Sequence, residues 1–400
     1  MKIKSSDNLY DVITRYPQTK EYFINKGIKQ VENDLILSTL AKKITIETIT
    51  KSKKINTTLF IDELNQILNQ ELIDLTLSKE VSKEAATIKL DGVLPCPIRI
   101  PLLESFDKWL KLMDCENTIN YELKAASMGV DWLKNNMKEE SLSDIFLSAG
   151  FDLFFDDKYI NQFKKKKVFK DLISFEKYNS DFDNDYISLK DPKGDYSILG
   201  VVPAVFLINE EIIDFNEAPK SWEELISGKF ENKVSLPVGD FDLFNAILLN
   251  IFKKYGLDGV KQLSKTLLKG MHPSQMVKSN TSKEQPAITI MPYFFTKMIK
   301  FGGPMKAIWP KDGAIISPIF MLTKKEKESE LLKFVEYFSS KEVGEIFSHK
   351  GLFPSTNPNV DNMIPKENKY MWLGWDYINN TDIGKTLDIC LSAFENIREV

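Results

Sequence analysis

Histidine, arginine and cysteine are scarce in this 400-residue chain: there are two histidines, three cysteines and only the arginines at positions 15, 99 and 398. With His272 and His349 as the sole imidazoles, most histidine-based catalysis is excluded. Cys96, Cys115 and Cys390 are odd in number and widely spaced, so neither a disulfide framework nor a zinc site is indicated. No run of about 18 apolar residues could span a bilayer. The opening "MKIKSSDNLYDVITRYP" has no apolar stretch of signal-peptide length. These absences predict a cytoplasmic chain without membrane insertion. A net charge of −4 supplies no basic face, which argues against a nucleic-acid partner. The one basic cluster, Lys164-Lys165-Lys166-Lys167, is expected to be a solvated helix face. The phosphate-cradling G-x-x-x-x-G-K-[ST], the dinucleotide G-x-G-x-x-G and the G-x-S-x-G nucleophile elbow are all missing.

What is present describes an ordinary globular protein, with 43% apolar and 28% charged residues. The chain is too long for one hydrophobic core, so two or three domains are expected. In the first segment, Ser6 or Asp7 can cap a helix carrying Leu9, Val12 and Ile13, and Pro17 interrupts it. "LILSTLAKKITIETITKSKKI" and "TTLFIDELNQILNQ" repeat apolar residues at helical spacing. Together they predict an all-α domain over residues 1–72, followed by a polar linker over 73–88, "IDLTLSKEVSKEAATI".

From Lys89 the texture changes. Short apolar strands such as "IKLDGVL", "YSILGVVPAVFLIN", "KVSLPVGD", "AITIMP" and "GAIISPIFMLT" alternate with helical stretches. This pattern predicts an α/β architecture of parallel sheets covered by helices, too large for one open sheet and therefore two-lobed.

Two resemblances give these segments a family. The order of an aspartate-initiated helix, "RYP", a helix ending in "KGI", "TLAKKITIE" and "IDELNQIL" resembles a small helical family of anaerobe proteins, similar to the N-terminal domain of iron–sulfur-cluster repair proteins. The repair proteins carry a Cys-Cys pair after that glycine. "KGIKQVEND" has none, so the resemblance implies an interaction module that docks a protein partner, not metal chemistry. Further on, "ILGVVPAVFLINEEIIDFNEAPKSWEELISGKFENKVSLPVGDFD" and "AIWPKDGAIISPIFMLTKKEKESELLKFVEYFSSKEVGEIF" resemble type 2 periplasmic binding proteins, the ferric-ion and small-anion receptors of ABC importers. The resemblance implies a two-lobed fold with a hinge over 89–400. Lobe 1 would take about 89–202 and 312–400, and lobe 2 about 203–311. Ligand would sit between the lobes, held by loops at strand ends and by helix N-termini.

That placement nominates a ligand-binding set. Cys96, between two prolines in "GVLPCP", faces the cleft beside a helix N-terminus that lowers a thiol's pKa, or is a small buried hydrophobe. Arg99, three residues on, offers a planar fork to an anion or lies along the lobe surface. "LSAGFD" contributes Ser148 and Gly150. "PVGDFD" contributes Gly239, for close backbone approach, and Asp240 and Asp242, one of them a helix cap. In "ITIMPYFFTKM" the ferric receptors place two adjacent phenolates; here Tyr293 is followed by Phe294, so Tyr293 is the best metal ligand and bare ferric binding loses half its pair. His272 ranks last. The expected function is a solute-binding protein that closes over a small anionic or metal-chelate ligand for sensing, storage or handover. No cofactor beyond a bound metal ion or chelate is expected. The alternative is an enzyme using Cys96 as nucleophile with Asp240, Asp242 or Glu104 as base.

Overall fold

The computed structural model describes residues 3–16, 42–53, 86–125, 142–238, 241–270 and 285–396, with scattered positions between 19 and 65. The chain divides into two compact units, Met1–Glu80 with Lys124–Asn136, and Val81–Leu123 with Met137–Val400. Residues 73–85 of the expected linker lie outside the described residues.

The first unit is helical where it is described. Helix α1 (Leu9–Arg15) is capped by Asn8, whose side chain accepts from the backbone N–H of Asp11 at 2.7 Å. The cap therefore falls one residue beyond Asp7, and Asp7 instead holds the preceding turn through Lys4 N. Helix α2 (Ile46–Ser52) starts at Thr45, which bridges Asn8. Leu9, Val12, Ile13, Phe23, Ile46 and Phe60 form its buried core.

The second unit is built on one ten-stranded sheet with the order β2-β1-β3-β9-β4-β7-β5-β6; β10 joins β9 and β8 joins β4. The strands are β1 (Ile88–Leu94), β2 (Ile119–Ala125), β3 (Ile145–Ala149), β4 (Ser197–Asn209), β5 (Val234–Leu236), β6 (Leu267–Gly270), β7 (Ile288–Pro292), β8 (Met305–Ile308), β9 (Ala314–Thr323) and β10 (Tyr370–Met371). Between them run α3 (Cys96–Leu112), α4 (Phe151–Phe155), α5 (Asn161–Lys165), α6 (Trp222–Leu225) and α7 (Phe241–Thr266). Helices α8 (Glu328–Phe338), α9 (Lys341–Glu345), α10 (Trp375–Asn380) and α11 (Ile383–Asn396) follow β9.

The expectation of parallel sheets needs correction at the centre. β1 pairs parallel with β3, and β5 with β6 and β7. The long strands β4 and β9 instead run antiparallel to each other and to their outer neighbours β3 and β7. The reason is the path of the chain: β4 leaves one half-sheet for the other and β9 returns. β4 changes neighbour between Pro203, opposite Ile316 of β9, and Ala204, opposite Pro292 of β7. Proline carries no N–H, so it fits where a ladder is handed from one partner to the next. All thirteen residues of β4 are buried, as a strand covered on both faces requires.

A lock beside this crossing explains two sequence signatures. The Trp222 backbone N–H donates to Asp312 Oδ1 at 3.0 Å, and its indole N–H donates to the Gly313 carbonyl at 3.0 Å. The ring is 0% exposed and meets Phe206 of β4 edge-on. Asp312 Oδ2 also takes the Lys254 ammonium at 3.1 Å. Gly313 has φ 111°, and a Cβ there would lie 2.7 Å from the Tyr370 carbonyl carbon, so β10 can approach β9 only past a glycine.

Candidate functional site: the interlobe cleft

Two helix starts, one after β3 and one after β5, come together at Gly150. β3 runs into Gly150, whose φ of 133° is closed to side-chain-bearing residues and which opens α4. A Cβ at Gly150 would lie 3.7 Å from Asp242 Oδ1 and 3.8 Å from Asp152 Oδ1. Asp152 stands in the first turn of α4, and Asp242 in the first turn of α7. Two carboxylates from opposite halves of the unit therefore flank one glycine. Asp242 Oδ1 accepts the Ser317 hydroxyl at 2.7 Å, which ties the helix start to the crossing strand β9.

The predicted residues fall as follows. Ser148 is 1% exposed; its hydroxyl donates to the Ala149 carbonyl at 3.0 Å, one strand away from Phe320 of β9. Gly150 and Asp242 share the convergence just described. Tyr293 opens a short 3-10 helix, Tyr293–Met298, directly after β7. Its ring meets Trp309 edge-on at 5.2 Å, and burial pushes its phenol above the usual tyrosine range. At neutral pH the hydroxyl is therefore a hydrogen-bond donor; a bound cation reverses that logic and takes the proton's place. Phe294 packs on the same apolar cluster as Tyr293, with its ring 3.9 Å from Phe295 and 5.3 Å from Phe353.

Arg99 is 4% exposed and donates from Nη1 to the Leu123 carbonyl of β2 at 3.3 Å, so the fork serves the joint between α3 and β2. Burial lowers its pKa. Cys96 opens α3 behind Pro95, but its side chain, like Gly239, Asp240 and His272, lies outside the described residues. Glu104, the distant candidate base, is exposed two turns along α3. Among the described residues no three His, Cys, Asp or Glu side chains come together as a metal cluster. A cavity of about 10 Å³ lined by Leu199, Phe347, Ser355 and Asn357 holds no more than one water, too small for a solute.

Sequence reasoning missed Ser317 and Asp152. Ser317 is the lone polar side chain of "AIISPIFML", and a polar residue inside a fully buried strand is a signal of a polar partner. The lysine run was misread at its first member. Lys164 is 7% exposed, stands 3.4 Å from Asp191, and lies over the rings of Tyr196 at 4.4 Å and Trp375 at 5.0 Å. Burial lowers its pKa against the opposing pull of Asp191. Lys165, Lys166 and Lys167 are exposed as expected.

A crossing pair of long strands, a lobe on either side and loops meeting between them define the type 2 periplasmic-binding-protein fold, preceded by a helical unit. Residues 140–381, more than half of the chain, match the family described as bacterial extracellular solute-binding protein, and the chain belongs to that family. Residues 3–61 match a domain of unknown function, DUF1858. Comparison with curated proteins finds no match. Among solved structures, iron-bound HitA from Pseudomonas aeruginosa is similar at 12% identity and TM-score 0.58, covering 77% of this chain and 99% of its own. The ferric binding protein from Campylobacter jejuni is similar at 12% identity and TM-score 0.57, covering 78% and 99%. The periplasmic binding protein P5PA is similar at 16% identity and TM-score 0.55, covering 77% and 99%. At these identities the likeness concerns the fold.

The family overturns the cytoplasmic expectation. Its members are described as extracellular, and one structural relative, P5PA, is a periplasmic binding protein. Export leaders are read and removed, so the composition of the folded part carries no address. No described helix is long and apolar enough to cross a membrane.

Proposed function

We propose that this chain is an extracytoplasmic receptor that closes its two lobes over a metal ion or a metal chelate. The observation that carries this reading is the meeting of Asp152 and Asp242 around Gly150, one carboxylate from each half. Such a pair repels a free anion and favours a cationic centre, so of the two ligand classes open in the sequence the metal-bearing one fits better. Ferric ion is the cargo named for the Campylobacter jejuni relative, and Tyr293 is the phenol available to it here. With Phe294 in the neighbouring position, a chelator would supply the donors that a second phenolate gives elsewhere. The helical unit at residues 3–61 is proposed as the module that docks a protein partner.

Titration with ferric nitrilotriacetate tests the ligand. A phenolate-to-iron absorption band in the wild type that disappears in Tyr293→Phe supports the assignment. Tight binding with no such band in either protein would remove Tyr293 from the ligand set. No ferric binding, beside tight binding of an inorganic anion such as phosphate, would overturn the cationic reading.

A further inference from the structure

The 3-10 helix that begins with Tyr293 does more than present a phenol. Two of its other residues reach the opposite lobe. The Lys297 ammonium donates to the carbonyls of His349 at 2.7 Å and Lys350 at 2.9 Å. Those carbonyls end a π-helical turn, Ile346–Lys350, whose C-terminal dipole is negative and attracts a cation. The Phe294 ring packs at 5.3 Å against Phe353, which is fully buried.

The receiving segment belongs to lobe 1 and is held rigidly there. A Cβ at Gly351 would lie 2.3 Å from Ile98 Cγ2, so the backbone rests directly on α3, the helix that follows β1. Pro354 is fixed from the other side: its carbonyl accepts the backbone N–H of Val201 in β4. The donating helix belongs to lobe 2, because β7 pairs with β5 and with the second half of β4. Rotation of one lobe away from the other breaks the lysine and phenylalanine contacts together, since both residues ride on the same six-residue turn.

We infer that Lys297 and Phe294 form an interlobe latch that holds the closed form and couples it to occupancy of Tyr293. The latch rests on the receptor reading for its purpose, though not for its test. It also accounts for the departure at position 294: where a second phenolate would point at the ligand, this chain places an apolar ring that closes on the other lobe. A ligand that orders the Tyr293 turn strengthens both contacts without touching either.

Small-angle X-ray scattering of the ligand-free full chain tests this directly. Lys297→Glu sets a carboxylate against two helix-end carbonyls, and Phe294→Ala removes the ring from Phe353; both are expected to shift the radius of gyration upward from wild type. Phe294→Tyr keeps the packing and is expected to scatter as wild type. Circular dichroism establishes that each variant is folded, and Lys297→Met, at an exposed side chain, serves if Phe294→Ala does not fold. If the folded variants superpose on wild type, the latch is overturned. Because no ligand is present, that result stands apart from any failure of ferric binding. Where ferric nitrilotriacetate does bind, Lys297→Met, which loses both charge-assisted hydrogen bonds of an exposed ammonium, is expected to weaken it about tenfold, with the Tyr293 absorption band unchanged.

Discussion

Two turns flank the crossing strands, and they are built on opposite plans. The turn between β8 and β9, carrying Asp312 and Gly313, is fastened inside its own neighbourhood by Trp222, Lys254 and the backbone of Tyr370. The turn after β7, carrying Tyr293, Phe294 and Lys297, leans on Trp309 at the start of that first turn and reaches outward to Phe353 and the end of the π-helical turn. The first fixes where the strands cross. The second is free to report whether the lobes are together. Rigidity here comes from backbone groups satisfied by a buried indole and carboxylate, and responsiveness from side chains that meet across a gap.

Substitutions that exchange those properties should separate the two turns. The largest effect is expected from Trp222→Ala, which empties a fully buried site and leaves the Gly313 carbonyl without its donor. A loss of about 4 kcal/mol is expected in urea unfolding, and a loss below about 1 kcal/mol would show that the turn stands without its lock. Next comes Lys164→Met, which tests the buried lysine away from both turns. It leaves the Asp191 carboxylate, still held by the N–H groups of Asp195 and Tyr196, without its cation. The expected cost is about 2–3 kcal/mol, measured by the same unfolding. An unchanged midpoint would mean that the methylene stem between Tyr196 and Trp375 carries the contribution. Ser317→Ala removes one donor to Asp242 and should cost about 1 kcal/mol, read as a small fall in thermal midpoint. Tyr293→Phe is expected to leave stability within about 0.5 kcal/mol while abolishing the ferric absorption band. A large stability loss there would make Tyr293 a packing residue of the Trp309 contact and erase the distinction between the turns.

The pH dependence of ferric binding sharpens the same contrast. Burial raises the Tyr293 phenol, so a metal that binds the phenolate must displace a proton. Apparent affinity should then rise with pH below the phenol's own pKa, by about tenfold per pH unit for one proton. In Tyr293→Phe that slope should diminish by one proton, as isothermal titration in buffers of differing ionisation enthalpy would record.

Legibility in the sequence followed the same division. Trp222 and the Asp312-Gly313 pair marked the fold because their positions demand those residue types: an indole N–H at reach of a carbonyl, and a glycine where φ is 111°. The Gly150 turn was legible for the same reason. Lys164 was not, because the groups that bury it, Asp191, Tyr196 and Trp375, are remote in the chain and only folding gathers them. The roles of Lys297 and Phe353 were hidden in the same way, since neither residue is unusual in its local setting. Arg99 drew notice through rarity, yet its guanidinium donates to the Leu123 carbonyl inside lobe 1. Compartment was not legible in composition: the family's extracellular description, not any residue pattern, overturned the cytoplasmic expectation.

The uninterrupted sheet has a mechanical consequence. β4 and β9 carry the ladder through the crossing with a single irregularity, between Ile198 and Gly200, where β4 also touches Ser355. A joint of this kind works as a torsion bar instead of a ball and socket: the strands twist along their length, and the ladder stores the deformation elastically. The irregularity at Gly200 is pinned by the backbone of Pro354 and Thr356, so the bar is clamped at its lobe 1 end. If the lobes swing as the proposed receptor requires, no hinge amide need be released to water, and the restoring torque of the bar would work against the grip of the latch.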